Sequence, residues 1–80
     1  MSMEVFEVSL QGADEKGRFV SIVRVLGKNE VEAEAMARAS AALRDYAVTE
    51  VMTCRPTAET VDQPYDFPRV LGHGEREYGG

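Results

Sequence analysis

The chain has one cysteine and one histidine, so the first chemical question is whether Cys54 and His73 act together. A thiol and an imidazole make a nucleophilic pair when the ring takes the thiol proton. Cys54 shares a strand phase with Val48 and Met52, where a small buried hydrophobe is the ordinary occupant. His73 lies in Gly72-His73-Gly74, a stretch with little to hold a ring in place. The pair is therefore not read as a dyad. A structural zinc needs several convergent Cys and His ligands, and the carboxylates lack the spacing of a calcium loop. Glu30, Glu32 and Glu34 are spaced for the electrostatics of a helix N-terminus. Gly12 to Gly17 joins one strand to another, whereas a phosphate-cradling glycine loop opens into a helix. The sequence thus points to no enzyme, no metal and no cofactor.

Four elements would have to position any site. Met3 to Gln11 alternates, with Phe6, Val8 and Leu10 facing one way and Val5, Glu7, Ser9 and Gln11 the other, which is the pattern of a half-buried strand. The glycine-bounded loop that follows looks longer than a tight two-residue hairpin. Arg18 to Leu26 is a second strand, apolar on both faces: Phe19, Val23 and Val25 against Val20, Ile22 and Leu26. Such a strand needs two covers.

The stretch NEVEAEAMARASAALRDY, Asn29 to Tyr46, reads as the one helix. Asn29 is a good cap, Glu32 stands three places on as in a capping box, and no Gly or Pro interrupts. At 100° per residue Val31, Ala35, Met36, Ala39, Ala42, Leu43 and Tyr46 form one stripe, expected to face the sheet. Glu30, Ala33, Glu34, Ala37, Ala41 and Arg44 form the other, expected to face outward, and Glu34 and Arg38 make an i,i+4 pair. Ala47 to Arg55 reads as a third strand ended by Pro56.

The expected fold is α+β, a β-β-α-β core with a three-stranded antiparallel sheet of order 2-1-3. One helix lies on one face, reached by a right-handed crossover, and a tail follows. Residues 1–55 make the core. Residues 56–71 make an extended tail, docked across the open sheet face or on a partner through Tyr65, Phe67, Val70 and Leu71. Residues 72–80 make a flexible end.

The formal charge of −5 opposes direct nucleic-acid binding and favours a partner protein with a basic surface. A lone cysteine fits a reducing compartment. The opening MSMEVFEVSL is an acidic strand, not a signal peptide, and no apolar run reaches the roughly 20 residues of a membrane span. A cytoplasmic protein without membrane contact is expected. The doubly apolar second strand also leads us to expect a homodimer. A non-enzymatic protein-interaction module is the main expectation. The alternative is a small enzyme or ligand-binding subunit with a site at an oligomer interface, built around Arg24, Glu50 and Arg55.

A strand hairpin, then an alanine-rich helix of the VEAEAMARASAALRDY type, then a short strand, spanning roughly Glu4 to Arg55 of an acidic chain, resembles small phage-encoded proteins of the anti-CRISPR type. The resemblance is one of layout and size. It implies an inhibitor that blocks a basic nucleic-acid-handling surface, by occlusion or by imitating phosphate charge, in the host cytoplasm. The hairpin loop and helix start supply the expected contact acids, Asp14, Glu15, Glu30 and Glu34.

Overall fold

A computed structural model describes residues 3–44, 46–61 and 67–79, with the side chains of residues 60 and 61 outside the description. The order of elements is β1 (Met3–Asp14), β2 (Gly17–Gly27), α1 (Glu30–Ala42), β3 (Ala47–Val61), β4 (Arg69–His73) and β5 (Glu77–Tyr78). The fold is α+β, with one helix on an antiparallel sheet.

β1 and β2 pair without a break from Glu4↔Gly27 to Asp14↔Gly17, so the hairpin is tighter than its two flanking glycines suggest. Two local devices close it. The Asp14 carboxylate accepts the Lys16 N–H at 2.8 Å, and Gly17 takes φ +122°, a conformation that a Cβ disfavours.

The sheet is larger than the expected three strands. β1 does lie between β2 and β3, but the full order is β3-β1-β2-β4, with β5 also pairing with β2. The residues that add to it are the expected tail. Arg69–His73 lies beside β2, not across the open face, and Glu77–Tyr78 pairs with Val20 and Phe19. Val70 packs on the helix-side core while Phe67 and Leu71 stay exposed; Tyr65 lies outside the described residues. β3 also runs past Pro56, where the sequence pattern would end it, to Val61. Pro56 pairs with Phe6 next to a register shift on the free edge of the sheet, where a missing N–H costs no ladder bond.

The helix begins where its cap places it. Asn29 is extended, and its side chain accepts the Glu32 N–H at 2.9 Å. The Glu32 carboxylate reaches back to the Lys28 N–H at 3.1 Å, one residue beyond the Asn29 N–H of a capping box. Regular helix stops at Ala42 rather than Tyr46, and the last turn tightens, with Leu43 and Arg44 N–H groups donating to Ser40 and Ala41 carbonyls.

The helix presents the opposite face from the one expected. Ala33, Ala37 and Ala41 are fully buried, whereas Val31 is 80% and Leu43 87% exposed. The reason is volume. Phe6, Val8, Leu10, Phe19, Val23 and Val25 already fill the layer, so the helix approaches closely with methyl groups; of the expected stripe Met36 and Tyr46 do reach the core, while Val31 and Leu43 point away. With alanine on both faces, periodicity alone could not orient it.

The helix also lies across the strands. Its Glu30 carbonyl accepts from the Cys54 thiol of β3 at 3.8 Å, while Ser40 Oγ sits 2.6 Å from His73 Nε2 of β4. Three strand spacings span about 14 Å, and Glu30 to Ser40 spans about 15 Å of helix. One helix therefore spans the sheet from β3 to β4. On the opposite face Met3, Val5 and Leu26 form a second small cluster.

Candidate functional site

The alternation that sends Phe19, Ser21, Val23 and Val25 under the helix sends Val20, Ile22 and Arg24 to the far face of β2. No element covers the middle of that face among the described residues, and Ile22 is 46% exposed. β4 supplies the wall. Its Leu71, 43% exposed, together with Gly72 to Gly74, closes one side of a groove of about 400 Å³ whose other side carries Glu7 and Arg24. The Gly74 N–H donates to the Ile22 carbonyl at 2.7 Å, and the Ser21 hydroxyl donates to the Gly74 carbonyl at 3.1 Å. These bonds fix the wall against the floor. A shallower continuation of about 180 Å³ runs on past Ser9 and Val20 to Glu75 and Glu77.

Charge along this surface is mostly acidic. Arg24 is paired with Glu59 at 2.9 Å, an exposed contact of little energetic weight. Glu7, Glu75 and Glu77 form no ion pair among the described residues. The groove therefore offers an apolar floor with three carboxylates on its rim. Of the residues expected around an interfacial ligand site, Arg24 lines the groove and Arg55 stands next to it, opposite Glu7. Glu50 pairs with Gln11, four residues or about 13 Å further along β1.

The four acids expected to bind a partner do not converge. Asp14 is consumed inside the fold. Its carboxylate takes the Arg76 guanidinium at 2.5 Å, the Tyr78 hydroxyl and the Lys16 N–H. The Tyr78 hydrogen bond holds the Asp14 carboxyl below its ordinary range, outweighing desolvation, with Lys16 and Arg76 adding to it. In return, the Tyr78 hydroxyl is pushed up. Arg76 is itself stacked over Phe19 at 5.0 Å and Tyr46 at 4.7 Å, and donates to the Arg44 carbonyl. Asp14 thus ties the hairpin tip to the helix exit and to β5. Glu15 is exposed beside it. Glu30 sits over Cys54, which pairs with Val8, six residues or about 20 Å along β1 from Asp14. Glu34 is bridged to Arg38 at 3.7 Å.

Cys54 and His73 are held apart by the two intervening strands. Burial pushes the Cys54 thiol up, and Glu30 and Glu34 push it further, so it is a poorer nucleophile than a free cysteine. His73 instead meets Ser40, a partner that sequence reasoning missed because nothing in the pattern aligned β4 with the helix end. Burial lowers its pKa, and Arg44 and Arg76 lower it further. Its Nδ1 is buried without a hydrogen-bond partner among the described residues. A serine–histidine contact without a carboxylate to orient the ring lacks the third member of the hydrolytic arrangement, and its evident task is to fasten the helix to β4.

No group of three or more side chains able to hold a metal ion occurs among the described residues, and none of their helices is long and apolar enough to cross a membrane. No family model, curated protein or solved structure matches this chain.

Proposed function

We propose that the protein is a non-enzymatic protein-interaction module that receives a basic partner surface in the groove on its open sheet face. One observation carries the reading: an exposed apolar surface, Ile22 on the floor and Leu71 on the wall, lies beside Glu7, Glu75 and Glu77. Exposed apolar surface rimmed by charge is the composition of a protein-binding patch. The net charge of −5 favours encounter with a cationic surface. An inhibitor of a nucleic-acid-handling protein, as the anti-CRISPR resemblance implies, is the specific form of this reading. In that form the contact acids become Glu7, Glu75 and Glu77, because Asp14 holds the fold together. The groove's volume falls in the range of small-ligand sites, but its open face suits a protein segment better.

The test is capture of proteins from a bacterial lysate on immobilised wild type, on Ile22→Asp and on Glu7→Lys/Glu77→Lys, with folding checked by circular dichroism. The expected result is a protein retained by wild type at low salt, released at high salt and lost with both variants. Retention of the same proteins by all three, or retention of nucleic acid alone, overturns the assignment.

A further inference from the structure

We infer that His73 is a proton-operated catch: on acidification its ring leaves Ser40, and the Gly72 to Gly74 end of β4 lifts from the sheet, taking down the wall of the groove. The release stands on its own geometry, while its effect on binding rests on the groove reading.

Few attachments hold the wall. β4 meets β2 through Leu26↔Arg69, Val25↔Val70, Arg24↔Gly72 and Val23↔His73, with a register shift between the second and third pairs. Val70 packs on the core at one end. At the other end stand the Gly74 N–H on the Ile22 carbonyl, the Ser21 hydroxyl on the Gly74 carbonyl, and the His73–Ser40 contact at 2.6 Å. Of these three, the ring contact is the one that a proton changes.

The surroundings suit a neutral ring. Such a ring can donate its Nε2–H to Ser40 and leave Nδ1 as a bare lone pair, and Nδ1 is buried with no hydrogen-bond partner among the described residues. Protonation puts an N–H and a positive charge at that atom with no acceptor to meet them, which is the costly way to bury a donor. The neighbouring charges add to the cost. Arg44 from the helix exit and Arg76 from the chain after β4 both act on the ring, and with burial as the larger cause they hold its pKa below 6.5. α1 itself offers Ser40, and β2 sets the apolar Val23 opposite. Glu7 and Arg24 border the groove along with His73, and Glu75 its continuation, but these line the face away from the helix. Glu7 lies two strand spacings from β4, about 10 Å, and Arg24 is taken up by Glu59. Among the described residues no carboxylate receives the second ring proton.

Amide hydrogen exchange followed by NMR, corrected for the intrinsic pH dependence of exchange, tests the inference. As pH falls below about 6.5 the Gly74 amide should lose protection, by up to about tenfold per pH unit until the folded pKa is reached. The amides of the β1–β2 ladder should keep theirs. The ring protons of His73 should titrate below 6.5. His73→Gln should abolish the pH response at Gly74. Arg44→Gln, at an exposed side chain, should move the ring titration up and shrink the response, which a purely structural contact would not do. A ring that titrates at or above 6.5 overturns the inference, as does an unchanged response in His73→Gln. So does loss of the β1–β2 amides in step with Gly74, since that is global unfolding. Lysate capture above and below pH 6.5 tests the consequence for binding: wild type should release at the lower pH what His73→Gln retains. Wild type that retains nothing at either pH overturns the groove reading and leaves the exchange results to decide the catch. Retention at both pH values despite lost Gly74 protection overturns the wall's part in binding.

Discussion

Replacing Gly12 with alanine tests how the sheet meets the helix exit. A Cβ there would lie 2.8 Å from Phe19 Cζ, 2.9 Å from Tyr46 Cδ2 and 3.0 Å from the Ala47 carbonyl oxygen. None of these is the loose end of a flexible chain. Phe19 cannot swing aside freely, because its ring stands edge-on to Tyr46 at 4.9 Å and to Tyr78 at 5.4 Å, with Arg76 stacked at 5.0 Å. Relief must move this whole assembly. Overpacking of this kind costs about 1–3 kcal/mol. For a domain of this size each kcal/mol lowers the melting temperature by about 4–8 °C, so Gly12→Ala should melt roughly 4–24 °C below wild type. Gly72→Ala is the control, since a Cβ there meets nothing within 4 Å and the change should stay within about 0.5 kcal/mol. Thermal melts by far-ultraviolet circular dichroism give the stability, and the near-ultraviolet signal of the tyrosines reports the ring assembly. A Gly12→Ala protein melting within about 2 °C of wild type, or an equal loss in Gly72→Ala, would refute the reasoning.

Two further outcomes follow from polar groups left without partners. The Tyr46 hydroxyl is buried with no hydrogen-bond partner among the described residues, and a buried unsatisfied hydroxyl costs about 1–3 kcal/mol. Tyr46→Phe should therefore leave chemical-denaturation stability unchanged or raise it, and a loss of more than about 1 kcal/mol would show that the hydroxyl has a partner. His73 has its pKa lowered in the fold, first by burial and then by Arg44 and Arg76, so the folded state prefers the neutral ring. Its stabilisation is fully present above the unfolded value of about 6.5 and is lost as pH falls from there toward the folded pKa. Denaturation midpoints should drop over that window in wild type and not in His73→Gln. Asp14, whose pKa is lowered from 3.8, acts only at more acid pH. An equal slope in both proteins as pH falls below about 6.5 would remove His73 as the cause.

The strands and the helix start were legible because their signals are local. Phe6, Val8 and Leu10 alternate cleanly, Asn29 caps, and Phe19, Val23 and Val25 lie beneath the helix as their phase requires. What failed depended on volume or on distant pairing. The helix was turned over because Ala33, Ala37 and Ala41 look no more apolar than Ala35, Ala39 and Ala42 until the sheet's own side chains fill the layer. Pro56 looked terminal because its edge position is a tertiary fact. The groove is half legible: alternation puts Ile22 on the face of β2 away from Phe19, Val23 and Val25, but the tail was expected to cover that face, and Leu71 and Gly74 instead form a wall through their bonds to β2. Asp14 looked like a free loop acid because nothing nearby in the sequence announces Arg76 or Tyr78.

The pairing of late strands with β2 also sets the order in which the chain can become safe from misassembly. Ser21 and Gly74 share a hydrogen bond across 53 residues of chain. At 5–20 residues per second of synthesis, the second follows the first by about 3–11 s, whereas a hairpin closes in microseconds. The β1–β2 hairpin can thus exist for seconds with the outer edge of β2 unpaired, even after α1 has been made to cover Phe19, Val23 and Val25. An apolar strand edge left open is a template for pairing with another chain. The nascent protein is most exposed to aggregation in that interval, and only the arrival of β4 and β5 ends it.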